Sequence, residues 1–255
     1  MSKKQIAYVA MVFVILGCFV LAGAIVFKSI NDVNVNKEKS SDITTFSSTV
    51  STPIPLPTKA LIYVEEYIQK YPLSCEAAAT SAAMRSLGFK VTEDQVLQNL
   101  LFDQTPREVD ASGNIKWGDP YAGFVGDYKG IFHKTGYGVY APPIADAVKN
   151  LGGKADSYQQ LTLPEAYMLL NENKLLIVWV PTRFEEETVN YWTTPSGKKI
   201  PWIQHEHAMV LRGYDTSTNT VYLMDVYTGK YQTRSVGEFI RGWGYLDNQA
   251  VAIYK

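Results

Sequence analysis

The chain has 255 residues, 46% of them apolar and 19% charged, with a net charge of -1. This is a globular composition, long enough for one ordinary domain plus an extension. It excludes a polyanion-binding surface, and no nucleic-acid partner is expected. Two cysteines, Cys18 and Cys75, exclude a disulfide framework and a cysteine-rich zinc centre.

From Ile6 to Phe27 the chain is apolar and uncharged, long enough for the roughly 20 residues of a spanning helix. Lys3 and Lys4 precede it, which favours a cytoplasmic stub at 1–5, although Lys28, Lys37 and Lys39 beyond the run weaken that bias. Signal-peptide cleavage near Leu21-Ala22-Gly23-Ala24, or lipidation of Cys18, reads less well because the apolar run continues past both. The expectation is an uncleaved transmembrane anchor at 6–27 in the cell membrane, single-pass, with an extracellular C-terminal domain. Residues 28–59 are rich in Ser, Thr, Asn and Lys and close on Pro53, Pro55 and Pro57. They read as a flexible linker whose proline end is stiff. The folded domain is expected over 60–255.

Within it, Leu61 to Ile68 reads as an apolar-rich lead-in and a candidate strand. A helix starts at Cys75 and runs to about Leu87, with Gly88 as its stop. Thr92-Glu93-Asp94-Gln95 has the form of a capping box and opens a second helix to about Leu101. Residues 103–141 form a long loop whose tyrosines and phenylalanines argue against disorder. Pro142-Pro143 opens a third helix that ends at Gly152-Gly153, and Pro164-Glu165 a fourth, to about Asn173. The period then changes. Leu175 to Val180 reads as a buried strand. Residues 190–203 read as a hairpin around Pro195-Ser196-Gly197. Strands follow at 207–214 and 221–225, then a short helix at 235–241 and a last strand at 250–254. Helices first and antiparallel strands after define an α+β fold.

Cys75 opens an alanine-rich helix six residues after Gln69. A helix N-terminus favours thiolate over thiol, and an amide donor beside it could bind an oxyanion. A thiol nucleophile needs a base, and the base an orienting group. The histidines are His133, His205 and His207. His133 falls in the long loop; His207 begins an apolar strand, a fixed position. If 207–214 and 221–225 form a hairpin, Asp225 lies opposite residues 207–210, within reach of His207. The run His205-Glu206-His207 lacks a third ligand for a metal. Glu76 directly follows the thiol. Pointing inward it would raise the thiol pKa; pointing outward it would suit a helix start.

Gln69, Cys75 with its helix, His207-Ala208 followed by Gly213-Tyr214-Asp215, and Asp225 together resemble the papain-like peptidase superfamily. Within it they look like the bacteriocin-processing (double-glycine leader) peptidase-like domains. The blocks Trp117-Gly118-Asp119-Pro120, Gly123-Phe124-Val125-Gly126 and Gly136-Tyr137-Gly138-Val139-Tyr140 resemble a bacterial membrane-anchored branch. The resemblance implies a papain-like fold, with N-terminal helices packed on an antiparallel sheet. It implies Cys75 as nucleophile, His207 as general base with a charge that depresses the thiol pKa, Asp225 as orienter and Gln69 as oxyanion donor. The expected activity is thiol acyl transfer on a peptide or protein substrate, without metal or cofactor. The alternatives are a catalytically silent peptide-binding relative and a cell-wall amidase or transferase.

Overall fold

The computed structural model describes residues 56–255. The predicted anchor at 6–27 and nearly all of the predicted linker lie outside them. Among the described residues no helix is long and apolar enough to cross a membrane.

The main sheet has seven strands: β1 (Lys59–Leu61), β2 (Lys154–Tyr158), β3 (Leu175–Pro181), β4 (Glu206–Asp215), β5 (Thr220–Asp225), β6 (Lys230–Ser235) and β7 (Ala250–Tyr254). Their spatial order is β6-β5-β4-β3-β7-β2, with β1 paired to β4. Every pairing in this sheet is antiparallel. Five helices are described: α1 (Cys75–Ser86), α2 (Glu93–Gln98), α3 (Ala141–Asn150), α4 (Leu163–Asn171) and α5 (Val236–Gly244).

The helices cover both faces of the sheet, which is why its middle strands read as unbroken apolar runs. In β3, Leu175, Ile177 and Trp179 join the cluster built on α1 and α3. Leu176, Val178 and Val180 join the opposite cluster, with α4 and α5. Ala208 and Val210 of β4 face the first cluster, and Met209 and Leu211 the second. The period-2 alternation of a strand is intact, but neither side needs polar residues. The expected packing of helices on an antiparallel sheet is met, with a helical layer on each face.

The helix starts behave as the sequence predicts. Thr92 and Gln95 form a complete capping box on α2. Thr162 with Glu165 does the same on α4, as Ser235 with Glu238 does on α5. Gly88 takes φ +92, and Phe89 N–H reaches back to the Met84 carbonyl, closing α1. Three expectations change. The lead-in strand stops at Leu61, and the chain runs on without regular structure to Cys75. The linker boundary at 59 is late: the Pro57 carbonyl accepts from Tyr214 Oη, the Thr58 carbonyl from Thr216 N–H, and Lys59 pairs with Asp215. Gly213 permits this docking, since a Cβ there would lie 2.3 Å from the Ala60 carbonyl oxygen. Finally, β2 and β6 escape prediction. They are the two edges of the sheet, mostly polar segments with no apolar run to mark them.

The long loop is ordered by its aromatics. Trp117, Tyr137 and Trp192 meet edge-on, and His133 stacks on Trp202 at 3.6 Å. Short strands at 108–109 and 115–116 join the predicted hairpin, Asn190–Thr193 with Lys199–Trp202, in a second, four-stranded sheet.

Candidate active site

The β4–β5 register is the one predicted: Asp225 lies opposite Met209. His207, two residues before Met209, is therefore the diagonal neighbour of Asp225 on the same face. His207 Nε2 meets Asp225 Oδ1 at 2.7 Å, with both side chains buried. Asp225 also accepts from Tyr227 N–H (2.8 Å), Thr228 Oγ1 (2.7 Å) and Gln232 Nε2 (2.7 Å). Burial works to raise the Asp225 pKa, but the bonds and charge of His207, with those of Thr228 and Tyr227, outweigh it and hold the group to about 2. Asp225 also starts a turn, because the Gly229 N–H donates to its carbonyl. Orienting His207 and opening the turn are compatible uses of one residue. Thr228 and Gln232 carry no sequence signal of this role.

Cys75 opens α1, and the segment before it is pinned by Glu93. That carboxylate is fully buried and accepts from Tyr67 Oη (2.9 Å), Lys70 N–H (3.1 Å) and Ser74 Oγ (2.6 Å). Three bonds from one side chain on α2 thus fix the residues that flank Gln69 and precede the thiol. Ser74 spends its hydroxyl on this anchor and does not cap α1. Gln69 N–H donates to the Val226 carbonyl, which ties the segment to the strand end that carries Asp225. The Gln69 side-chain amide donates to the carbonyls of Tyr71 (2.8 Å) and Pro72 (3.2 Å).

Gln69, Cys75 and His207 line one cleft of about 470 Å³, with Tyr137, Glu206 and Tyr227 among its walls. Asp225 sits behind His207. The fold therefore brings the four sequence-predicted residues together. The other histidines are elsewhere. His205 pairs with Glu187 at 2.6 Å on the exposed rim. His133 is half-buried in the aromatic loop, and burial, then Arg107, lowers it to about 4. The two imidazoles of His205-Glu206-His207 thus have separate carboxylate partners and do not converge on one ion.

Glu76 points inward and is 1% exposed. Its Oε1 accepts from Val139 N–H at 2.8 Å, and its Oε2 from the Cys75 thiol at 3.4 Å. Glu206 stands close by: one donor atom each from Cys75, Glu76 and Glu206 lie within 4.8 Å of one another. Groups so close could share one proton or one cation. Burial, followed by the charges of Glu76 and Glu206, pushes the Cys75 thiol well above its ordinary value, and only the Ala208 N–H pulls it down. The expectation of a depressed thiol is reversed in the resting site. Sequence reasoning located Glu76 but not Glu206, which looked like a spacer between two histidines.

A thiol at a helix N-terminus and an imidazole held by a buried carboxylate thus line one cleft of an α+β fold. The family model of the Peptidase_C39 like family matches residues 61–251, and the chain belongs to that family. A solved structure assigned as a C39-like peptidase from Bacillus anthracis has a TM-score of 0.64 at 22% identity, covering 77% of this chain and 98% of that one. It shares the fold. Xylellain, a cysteine protease from Xylella fastidiosa, reaches a TM-score of 0.44 at 15% identity, covering 86% and 94%, too loose to bear on the site. No curated protein matches the sequence.

Proposed function

We propose that the protein is a membrane-anchored extracytoplasmic cysteine peptidase in which Cys75 attacks a peptide carbonyl. The observation that carries the reading is the buried His207–Asp225 pair at 2.7 Å on the wall of the cleft that holds Cys75. Because Nε2 is engaged by Asp225, Nδ1 is the imidazole nitrogen left to take the thiol proton. The thiolate forms a C–S bond to the carbonyl carbon. The oxyanion is met by the Cys75 N–H and by Gln69, whose amide must turn from the Tyr71 and Pro72 carbonyls to reach it. His207 then returns its proton to the departing amine. Water, deprotonated by the same imidazole, splits the thioester and regenerates the thiol. The apolar run at 6–27 supports anchoring, and the lysines before it support an outward-facing domain.

One observation favours the silent, peptide-binding alternative: the resting thiol is buried and hydrogen-bonded to Glu76 rather than to His207. The deciding experiment incubates a peptide library with the full chain and reads new N-termini by mass spectrometry. Cleavage by the wild type and none by Cys75→Ala supports the peptidase; binding without cleavage supports the silent relative. Protease treatment of intact cells tests topology. Loss of the domain is expected, and protection would contradict the outward orientation.

A further inference from the structure

Cys75, Glu76 and Glu206 can each carry a negative charge, and their donor atoms lie within 4.8 Å of one another. The imidazoles that flank Glu206 in sequence are paired elsewhere, His205 with Glu187 and His207 with Asp225. From the long loop, the buried phenols of Tyr137 and Tyr140 lie within the electrostatic reach of Glu206 and Glu76. Tyr140 Oη donates to the Pro201 carbonyl at 2.6 Å, so the 2.7 Å contact between the two hydroxyls is donated by Tyr137. Both phenolic protons are thereby spent. Glu206 Oε1 is buried without a partner. Like charges this close suppress one another, so an ionised Cys75 requires the carboxyls to be uncharged.

The inward position of Glu76 is built into the loop. A Cβ on residue 138 would lie 2.3 Å from Glu76 Oε1, and the space exists because residue 138 is glycine. The neighbouring Val139 N–H holds that oxygen, which leaves Oε2 on the sulfur.

We propose that Glu76 is a further catalytic residue: in its uncharged form it donates a hydrogen bond to the Cys75 thiolate, and Glu206 is the positioning residue that keeps a proton on the pair. The inference rests on the reading of Cys75 as nucleophile. The thiol proton leaves sulfur for His207, and the Glu76 proton is taken up from solvent beforehand. The existing contact then runs from O–H to sulfur, with no movement of heavy atoms. The acid strengths agree. Burial raises Glu76 to about 7, and burial with the Glu76 charge raises Glu206 well above the carboxylate range.

The test is the rate of Cys75 alkylation by iodoacetamide in the full chain carrying Cys18→Ser, with a chelator present, between about pH 5.5 and about pH 8.5. Glutamine at position 76 keeps an acceptor for the Val139 N–H and a donor for sulfur, and it cannot become charged. The ratio of the Glu76→Gln rate to the wild-type rate is expected to climb about tenfold across that range, one pKa unit of relief. Glu206→Gln should climb in the same direction. It gives the same discrimination should Glu76→Gln fail to fold, because Glu206 Oε1 has no partner to lose. A variant slower at every pH would make Glu76 an anionic proton acceptor and overturn the proposal. Superimposable profiles would reduce Glu76 to an anchor for the Val139 N–H. A rise in the wild-type rate on adding the chelator would put a metal ion where the proton is proposed. The readout uses no substrate, so a chain that binds peptides without cleaving them would still show the climb. Failure of the peptidase reading is thereby told apart from failure of this one.

Discussion

On the His207 side of the cleft, the buried carboxylate has its partners. Asp225 accepts four hydrogen bonds, one of them from the imidazole it orients. On the Glu76 side, two carboxyls and a thiol share little more than the Val139 and Ala208 N–H groups. Asp225 keeps its charge above the acid range. The second half has a state of charge that depends on how many protons it holds. A buried ionic group is therefore a rigid part when paired and a titrating part when crowded by its own kind.

Removing the base breaks the fixed half outright. His207→Ala is expected to slow peptide cleavage about 10²- to 10⁴-fold, as loss of a general base does. Cleavage kinetics on any peptide the wild type cuts would show it, and a loss under tenfold would remove His207 from the role. Asp225→Asn should cost less in rate but more in stability. It puts an amide among groups that all donate, and stranding one or two of them costs about 1–3 kcal/mol. Thermal unfolding reads this as a lowered Tm, and an unchanged Tm would contradict the four-bond account.

The two halves should also separate by pH. Asp225 is depressed, so its contribution to stability is full above the unfolded carboxylate value and lost as pH falls through about 2. Glu76 is raised, so its contribution is full below its unfolded value and lost as pH rises through about 7. Wild type is expected to lose Tm between about pH 5 and about pH 8, and Glu76→Gln to lose less. Parallel curves would detach Glu76 from the titrating half. The smallest expected effect is at the rim. The His205–Glu187 pair has an exposed imidazole, and His205→Ala should change stability by less than about 1 kcal/mol. A large loss there would undo the distinction between His205 and His207.

The meeting of His207 with Asp225 was legible in the sequence; the inward turn of Glu76 and the approach of Glu206 were not. An apolar strand beginning at His207, a turn, and a second strand ending in Asp225 fix a hairpin register, and register fixes which side chains meet. The start of α2 was equally readable, because its capping box at Thr92 is a local signal. The polar edge strands β2 and β6 carry no apolar run, so nothing marked them. The direction of Glu76 and the approach of Glu206 depend on where a loop more than sixty residues away in sequence lays its glycine and its Val139 N–H. No pattern within α1 encodes that meeting.

The proposed chemistry requires Cys75 to be a nucleophile served by His207. Labelling the full chain carrying Cys18→Ser with a thiol-directed epoxide, and locating the adduct by mass spectrometry, tests it most directly. The prediction is one adduct, on Cys75, formed quickly in the folded protein and slowly in His207→Ala. Equal labelling of the two proteins, or labelling that appears only after denaturation, would contradict it.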